Sequence, residues 1–194
     1  MNQKLLSLVD ELAKCRLCEK NLPLEPRPIF QLYSAAKILI AGQAPGKQAH
    51  FADRPFADAS GKRLREWMGV SESDFYTPEN FAILPMGMCF PGKAPTGDLP
   101  PLKRCSQTWH AAILSRLEQV KFRIVIGRHA QAYYLPDASG SLADIIQRQL
   151  ELDSSILVLP HPSPRNNIWL AKNSWFERDV LPLLRRRVSQ SLSV

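Results

Sequence analysis

The chain has 194 residues, enough to bury a sizeable core, and is read as a single domain over residues 1–194. Hydrophobic residues make up 45% and charged residues 22%, a globular balance that excludes disorder along the whole length. Twenty-five Lys and Arg against 18 Asp and Glu leave a formal charge of +7, which suits a polyanionic partner. No apolar run approaches the roughly 20 residues of a membrane span. The N-terminus also lacks a signal peptide's apolar stretch and cleavage site, so a cytoplasmic protein is expected.

In chain order, Gln3–Lys14 predicts a helix with Leu5, Leu8, Val9 and Leu12 on one face. Cys15 and Cys18 follow as a C-x-x-C pair, then prolines between Pro23 and Pro28. Lys37–Ala41 is the first of four short, continuously apolar runs; the others are Asn80–Leu84, Phe122–Ile126 and Ser155–Leu159. Runs of this kind predict strands buried on both faces, hence a parallel sheet. Between them Gly61–Gly69, Leu102–Val120 and Ser141–Leu150 carry helical spacing, and Leu170–Val188 follows the last run. Ser189–Val194 reads as a frayed end. The alternation predicts an α/β fold with a short, about four-stranded parallel sheet flanked by helices.

In such sheets ligands bind beyond the carboxyl ends of the strands. Gly42-Gln43-Ala44-Pro45-Gly46 follows the first predicted strand, and His161-Pro162-Ser163-Pro164-Arg165-Asn166 follows the fourth. Two chain-distant loops should therefore open on one edge. The pentapeptide alone is also what a plain strand-to-helix turn needs. The second loop is more specific, because prolines restrict the backbone on both sides and preorganise His161 as a donor. A serine-hydrolase reading of His161 and Ser163 fails, since residues two apart in an extended loop point oppositely. Nor does the chain carry the glycine fingerprints of dinucleotide or triphosphate sites.

Together the loops resemble the uracil-DNA glycosylase superfamily, over roughly residues 15 to 185 as judged by motif order. Gly42–Gly46, Arg54-Pro55-Phe56 and Ser60-Gly61-Lys62-Arg63-Leu64 resemble its iron–sulfur branch. His161–Asn166 is similar to the single-strand-selective monofunctional branch. The resemblance implies a uracil-DNA glycosylase-like fold and a DNA repair glycosylase that flips a damaged base, uracil first, and hydrolyses its N-glycosidic bond. It implies catalytic roles for His161 on the leaving base and Gln43 at the water. Gly42, Ala44, Pro45, Gly46 and Phe56 would bind the base, with Phe56 stacking on it. Ser163, Pro164 and Arg165 would contact DNA, the last two as a wedge. Cys15, Cys18, Cys89 and Cys105 would hold a [4Fe–4S] cluster; four thiolates also suit tetrahedral zinc, and unligated thiols are the plain alternative. The expected partner is DNA with a damaged base, bound by a monomer. Lys47, Arg54, Lys62, Arg165 and Lys172 could meet phosphates, whereas Arg185–Arg187 reads as a solvated helix end.

The pattern departs at two places. Gln43 stands where the iron–sulfur branch has a carboxylate, and Ala44 where the classical branch has aspartate. Gln43 can orient water but cannot take its proton, so His50 and Asp53 are substitute candidates, unless both are plain loop residues. Pro85 stands where the family reads the base edge with asparagine, leaving the backbone of Met86–Met88 as a candidate reader. Two rival readings follow: a member of the same fold that binds damaged or single-stranded DNA without cleaving it or with another specificity, and an unrelated small-molecule α/β enzyme with a zinc staple.

Overall fold

The computed structural model describes residues 3–152 and 154–193. Val194, the end of the predicted frayed stretch, and the first two residues of the N-terminus lie outside it. The four apolar runs form one parallel sheet. Its strands are β1 (Ile38–Ala41), β2 (Phe81–Ile83), β5 (Phe122–Ile126) and β6 (Ile156–Leu159), in the order β2-β1-β5-β6. Alternation along buried strands feeds two cores. Ile38, Ile40, Phe81 and Ile83 enter the larger cluster, and Leu39, Ala82 and Leu84 the other. Every residue of β1 is fully buried, and each large side chain there contributes about 1.5–3 kcal/mol.

Helix α1 (Gln3–Ala13) and α5 (Lys103–Leu114) cover the second core through Leu5, Leu12 and Ile113. On the other face lies α3 (Ala59–Met68), where Leu64, Trp67 and Met68 are buried as their spacing predicts. Asp58 caps α3 by accepting from the Gly61 N–H, and Gly69 ends it at φ 69°, a left-handed turn suited to glycine. Two further helices, α4 (Glu72–Tyr76) and α7 (Leu142–Arg148), each start on a Ser/Asp capping box.

Nothing in the sequence pattern announces α2 (Lys47–Ala52), α4, α6 (Gly127–Tyr134), the first half of α8 (Asn167–Lys172) or the hairpin β3 (Lys93–Ala94) to β4 (Gly97–Asp98). These helices span eight residues at most, too few for periodicity to stand out. The helix expected over Leu170–Val188 is broken. Helix α8 ends at Lys172, a π-helical turn spans Phe176–Val180, and α9 runs from Leu181 to Leu192. Asn173 makes the break: its side chain donates to Trp169 O and accepts from the Trp175 indole. Helix α9 also continues through most of the stretch read as frayed. No helix among the described residues is long and apolar enough to cross a membrane.

Candidate active site and thiol-lined cavity

The β1–α2 loop and the loop after β6 meet, as expected, at one edge of the sheet. They line a cavity of about 550 Å³, within the usual range of small-ligand sites. Gly42, Gln43, Ala44, Pro45, Gly46, Phe56, His161, Ser163, Pro164 and Arg165 all face it. The first loop is fixed by the chain beyond β2, since Met86 N donates to Gly42 O (2.9 Å) and Gly87 N to Gln43 O (3.0 Å). Those same bonds correct one expectation. With Met88 N on Cys105 Sγ as well, the three N–H groups of Met86–Met88 donate inside the protein and are not free to read a base. Pro85 lines the cavity, and its carbonyl is held by His110 Nε2 at 3.1 Å.

Two glycines of these motifs are explained by close approach. A side chain at Gly42 would meet the Phe56 ring at 3.3 Å, and one at Gly61 would collide with the Phe56 carbonyl. Gly46 faces two carboxylates, Asp58 and Asp98. Phe56 has φ 55°, a backbone state that costs a non-glycine residue on the order of 1 kcal/mol or more. Packing edge-on against Phe75, with Tyr76 donating to Pro55 O beside it, holds the ring against the cavity wall. Strain at such a residue is what a ligand-facing ring shows when its orientation matters more than local comfort.

His161 is placed by its own loop. Asn166 donates to His161 O at 2.6 Å, and Ser163 N donates to His161 Nδ1 at 3.2 Å. Because Nδ1 accepts, the neutral ring carries its proton on Nε2. Burial holds the imidazole below its usual pKa, aided by Arg165 and opposed by Asp58 and Asp98. The result is a neutral N–H donor at neutral pH. Gly127, at φ 77°, makes the turn after β5 on the His161 side, where an added Cβ would lie 4.0 Å from the His161 Cβ.

Several expectations need correction. His50 and Asp53 do not line the cavity. His50 is buried beside Phe51 and Phe90, and Asp53 is the left-handed cap of α2. Gln43 lines the cavity, and its Nε2 donates to Leu99 O at 3.2 Å. Arg165 is exposed at the cavity and donates to Thr96 O on the hairpin at 3.3 Å. Arg54 pairs with Glu72 and stacks over the Tyr76 ring. Arg185 and Arg187 are not simply solvated: Arg185 donates to Glu66 O and Trp67 O, and Arg187 to Leu152 O and Ser154 O. Sequence reading also missed Asp58 and Asp98 as cavity residues. The D-x-x-G cap signal could have flagged Asp58, and the Pro-Thr-Gly turn the hairpin that brings Asp98.

A second cavity lies under the proline-rich loops. Cys15 and Cys18 come from beyond α1, Cys89 from beyond β2 and Cys105 from the first turn of α5, and all four line it with apolar neighbours. None is in a disulfide. Burial pushes the Cys89 thiol up to about 11 and the Cys105 thiol up to about 12, and raises Cys18 as well. Among the described residues, no three His, Cys, Asp or Glu side chains form a group arranged to hold a metal ion. The donor set is nonetheless all-thiol, drawn from three segments around one space, and that chemistry suits a thiolate-held group.

A model of the Uracil DNA glycosylase superfamily matches residues 30–185, well over half of the chain. The matched span includes both strand-end loops, all four strands of the parallel sheet, Phe56 and His161. The protein therefore belongs to the uracil DNA glycosylase superfamily, and its function is of the DNA glycosylase type.

Proposed function

We propose that this protein removes a damaged base, uracil first among them, from DNA by hydrolysing its N-glycosidic bond. The observation that carries the reading is the convergence of a held aromatic ring, Phe56, and a tautomer-fixed donor, His161, on one cavity. A base turned out of the stack needs an aromatic face, which Phe56 offers. As the C1′–N bond breaks, negative charge grows on the departing base. The His161 Nε2–H donates to it, an interaction that strengthens only as charge develops. Gly42 leaves room for the Phe56 ring on that wall of the cavity. Ser163, Pro164 and Arg165 lie at the rim of the same cavity, where the DNA backbone and the disturbed stack would meet the protein. The partner is thus damaged DNA, bound by a monomer working in the cytoplasm.

Cys15, Cys18, Cys89 and Cys105 would hold a [4Fe–4S] cluster. Its contribution is structural: as thiolates the four residues tie the end of α1 to the loop after β2 and the start of α5. Zinc on the same thiolates is distinguished by colour, because only iron–thiolate charge transfer absorbs broadly in the visible.

Pro85 favours a second reading. It offers no side-chain amide where the family reads uracil's edge, and its carbonyl is already held by His110. A member with another base preference, or one that binds without cleaving, fits that feature. Oligonucleotides bearing uracil, hypoxanthine or xanthine, single- and double-stranded, decide the matter. Cleavage at uracil supports the first reading, and tight binding without cleavage of any of them supports the second.

A further inference from the structure

The cavity contains two carboxylates that belong to neither strand-end loop. Asp98 arrives on β4 and Asp58 at the cap of α3. A Cβ on Gly46 would lie 3.5 Å from Asp98 Oδ2 and 3.7 Å from Asp58 Oδ2. The two oxygens therefore look onto one point beside the first loop, at most about 7 Å apart. In each carboxylate the other oxygen is engaged. Asp58 Oδ1 accepts from Gly61 N at 2.9 Å, and Asp98 Oδ1 meets Lys93 Nζ at 2.6 Å. Both groups also act on the His161 ring, so donor and carboxylates share one electrostatic site.

The hairpin that carries Asp98 is gripped from both sides of the cavity. Gln43 Nε2 donates to Leu99 O, Arg165 Nη1 to Thr96 O, and Leu99 N closes onto Gly92 O at 2.9 Å. Gly97 has φ 153°, and a side chain there would press on the Arg165 guanidinium at 2.5 Å. Residues expected to orient water and wedge into DNA also hold the segment that brings in a carboxylate. That is how a chain without an acid in its first loop can still present one.

We infer that Asp98 is the general base of the reaction and that Asp58 orients the same water from the facing side; the assignment rests on the glycosylase reading above. The water oxygen bonds to C1′ of the sugar as the C1′–N bond breaks, and the bonding pair leaves with the base. The water's proton passes to Asp98 Oδ2. His161 Nε2–H holds the departing base anion, which then takes up the proton and restores the carboxylate. The products are the neutral base and an abasic sugar with a hydroxyl at C1′. Asp58 is held as the cap of α3 by the Gly61 N–H, which suits it to orient the water and leaves the proton to Asp98.

Single-turnover cleavage of a uracil-containing oligonucleotide tests this, with fold checked by circular dichroism and binding by fluorescence anisotropy. Asp98→Asn should lower cleavage by about 10²–10⁴, the usual share of a general base, with Kd little changed. Asp98→Glu should keep part of the rate, and sodium formate should restore part of it to Asp98→Ala while leaving the wild type alone. Gln43→Glu, which exchanges the donor to Leu99 O for an acceptor, should slow the enzyme rather than speed it. If the wild type cleaves and Asp98→Asn stays within about threefold of it, only the Asp98 assignment is overturned. A folded Asp98→Ala that formate does not rescue, beside an equally dead Asp98→Glu, overturns it too and reduces Asp98 to a part of the hairpin. A wild type that cleaves none of the three damaged bases overturns the glycosylase reading and this assignment together.

Discussion

The cavity beneath His161 and the cavity among the four cysteines both lie where proline-rich loops leave the sheet, and both are built from segments far apart in the chain. In each, burial pushes the titratable groups toward their neutral forms: His161 down, Cys89 and Cys105 up. The difference lies in what surrounds the polar atom. The His161 ring accepts from Ser163 N, so its remaining N–H has one direction to point. The thiols sit among apolar neighbours, where a thiolate is costly until a cation offsets it. A buried group aimed by its neighbours is poised to act on a ligand. Partly buried thiols from three segments, of which Cys105 accepts from Met88 N, are suited instead to sharing one ligand that ties those segments together.

The largest effect expected is all-or-none and concerns the thiol side. Protein purified anaerobically should show broad absorption near about 400 nm, and replacing any one of Cys15, Cys18, Cys89 or Cys105 by Ser should abolish it and lower Tm. Colourless wild type containing stoichiometric zinc would keep the structural role and replace the group. On the other side of the comparison, His161→Ala should lower cleavage by on the order of 10²–10³ while leaving DNA affinity nearly unchanged. Equal loss in affinity and rate would show that His161 binds the ground state rather than the departing base.

Phe56→Leu keeps apolar contact with Phe75 but loses the π face, and base–aromatic stacking is worth about 1–3 kcal/mol. A loss of roughly tenfold to a hundredfold in kcat/KM is expected, and an unchanged value would make Phe56 a packing residue only. Arg165→Ala should weaken DNA binding and flatten the slope of log Kd against log salt by about one unit, if the guanidinium leaves Thr96 O for a phosphate. An unchanged slope would leave it as a brace for the hairpin.

The gentlest effect is on stability. Burial lowers the pKa of all four histidines: His50, His110, His129 and His161. The unfolded chain then takes up protons that the folded chain refuses, so stability is complete above the ordinary histidine value of about 6.5 and falls as pH drops below it. Tm measured from pH 7.5 to pH 5 should decline. The decline should be shallower in His110→Gln, which keeps a donor for Pro85 O and removes the group whose protonation the core opposes.

Much of this protein is legible in its sequence. The four apolar runs are the four strands, because continuous β-branched and aliphatic residues have few other places to go than a sheet covered on both faces. The two proline- and glycine-marked loops fall at strand ends, and parallel strands send their carboxyl ends to one edge, so the location of the site follows from chain order alone. The spacing of Leu64, Trp67 and Met68 likewise marks the buried face of α3.

What sequence order does not contain is where a side chain's hydrogen-bond partners come from. Nothing in chain order says that Gln43 donates to Leu99 O, or that Arg165 donates to Thr96 O on the same hairpin. His50 and Asp53 stand close to the first loop in the chain, yet α2 turns them away from the cavity. Asp98 stands 52 residues beyond Gly46 in the chain, and a two-residue-per-strand hairpin brings its carboxylate there. Periodicity and composition report burial, which is a property of a segment. Contact between distant polar atoms is a property of the closed chain, and only the tertiary structure decides it.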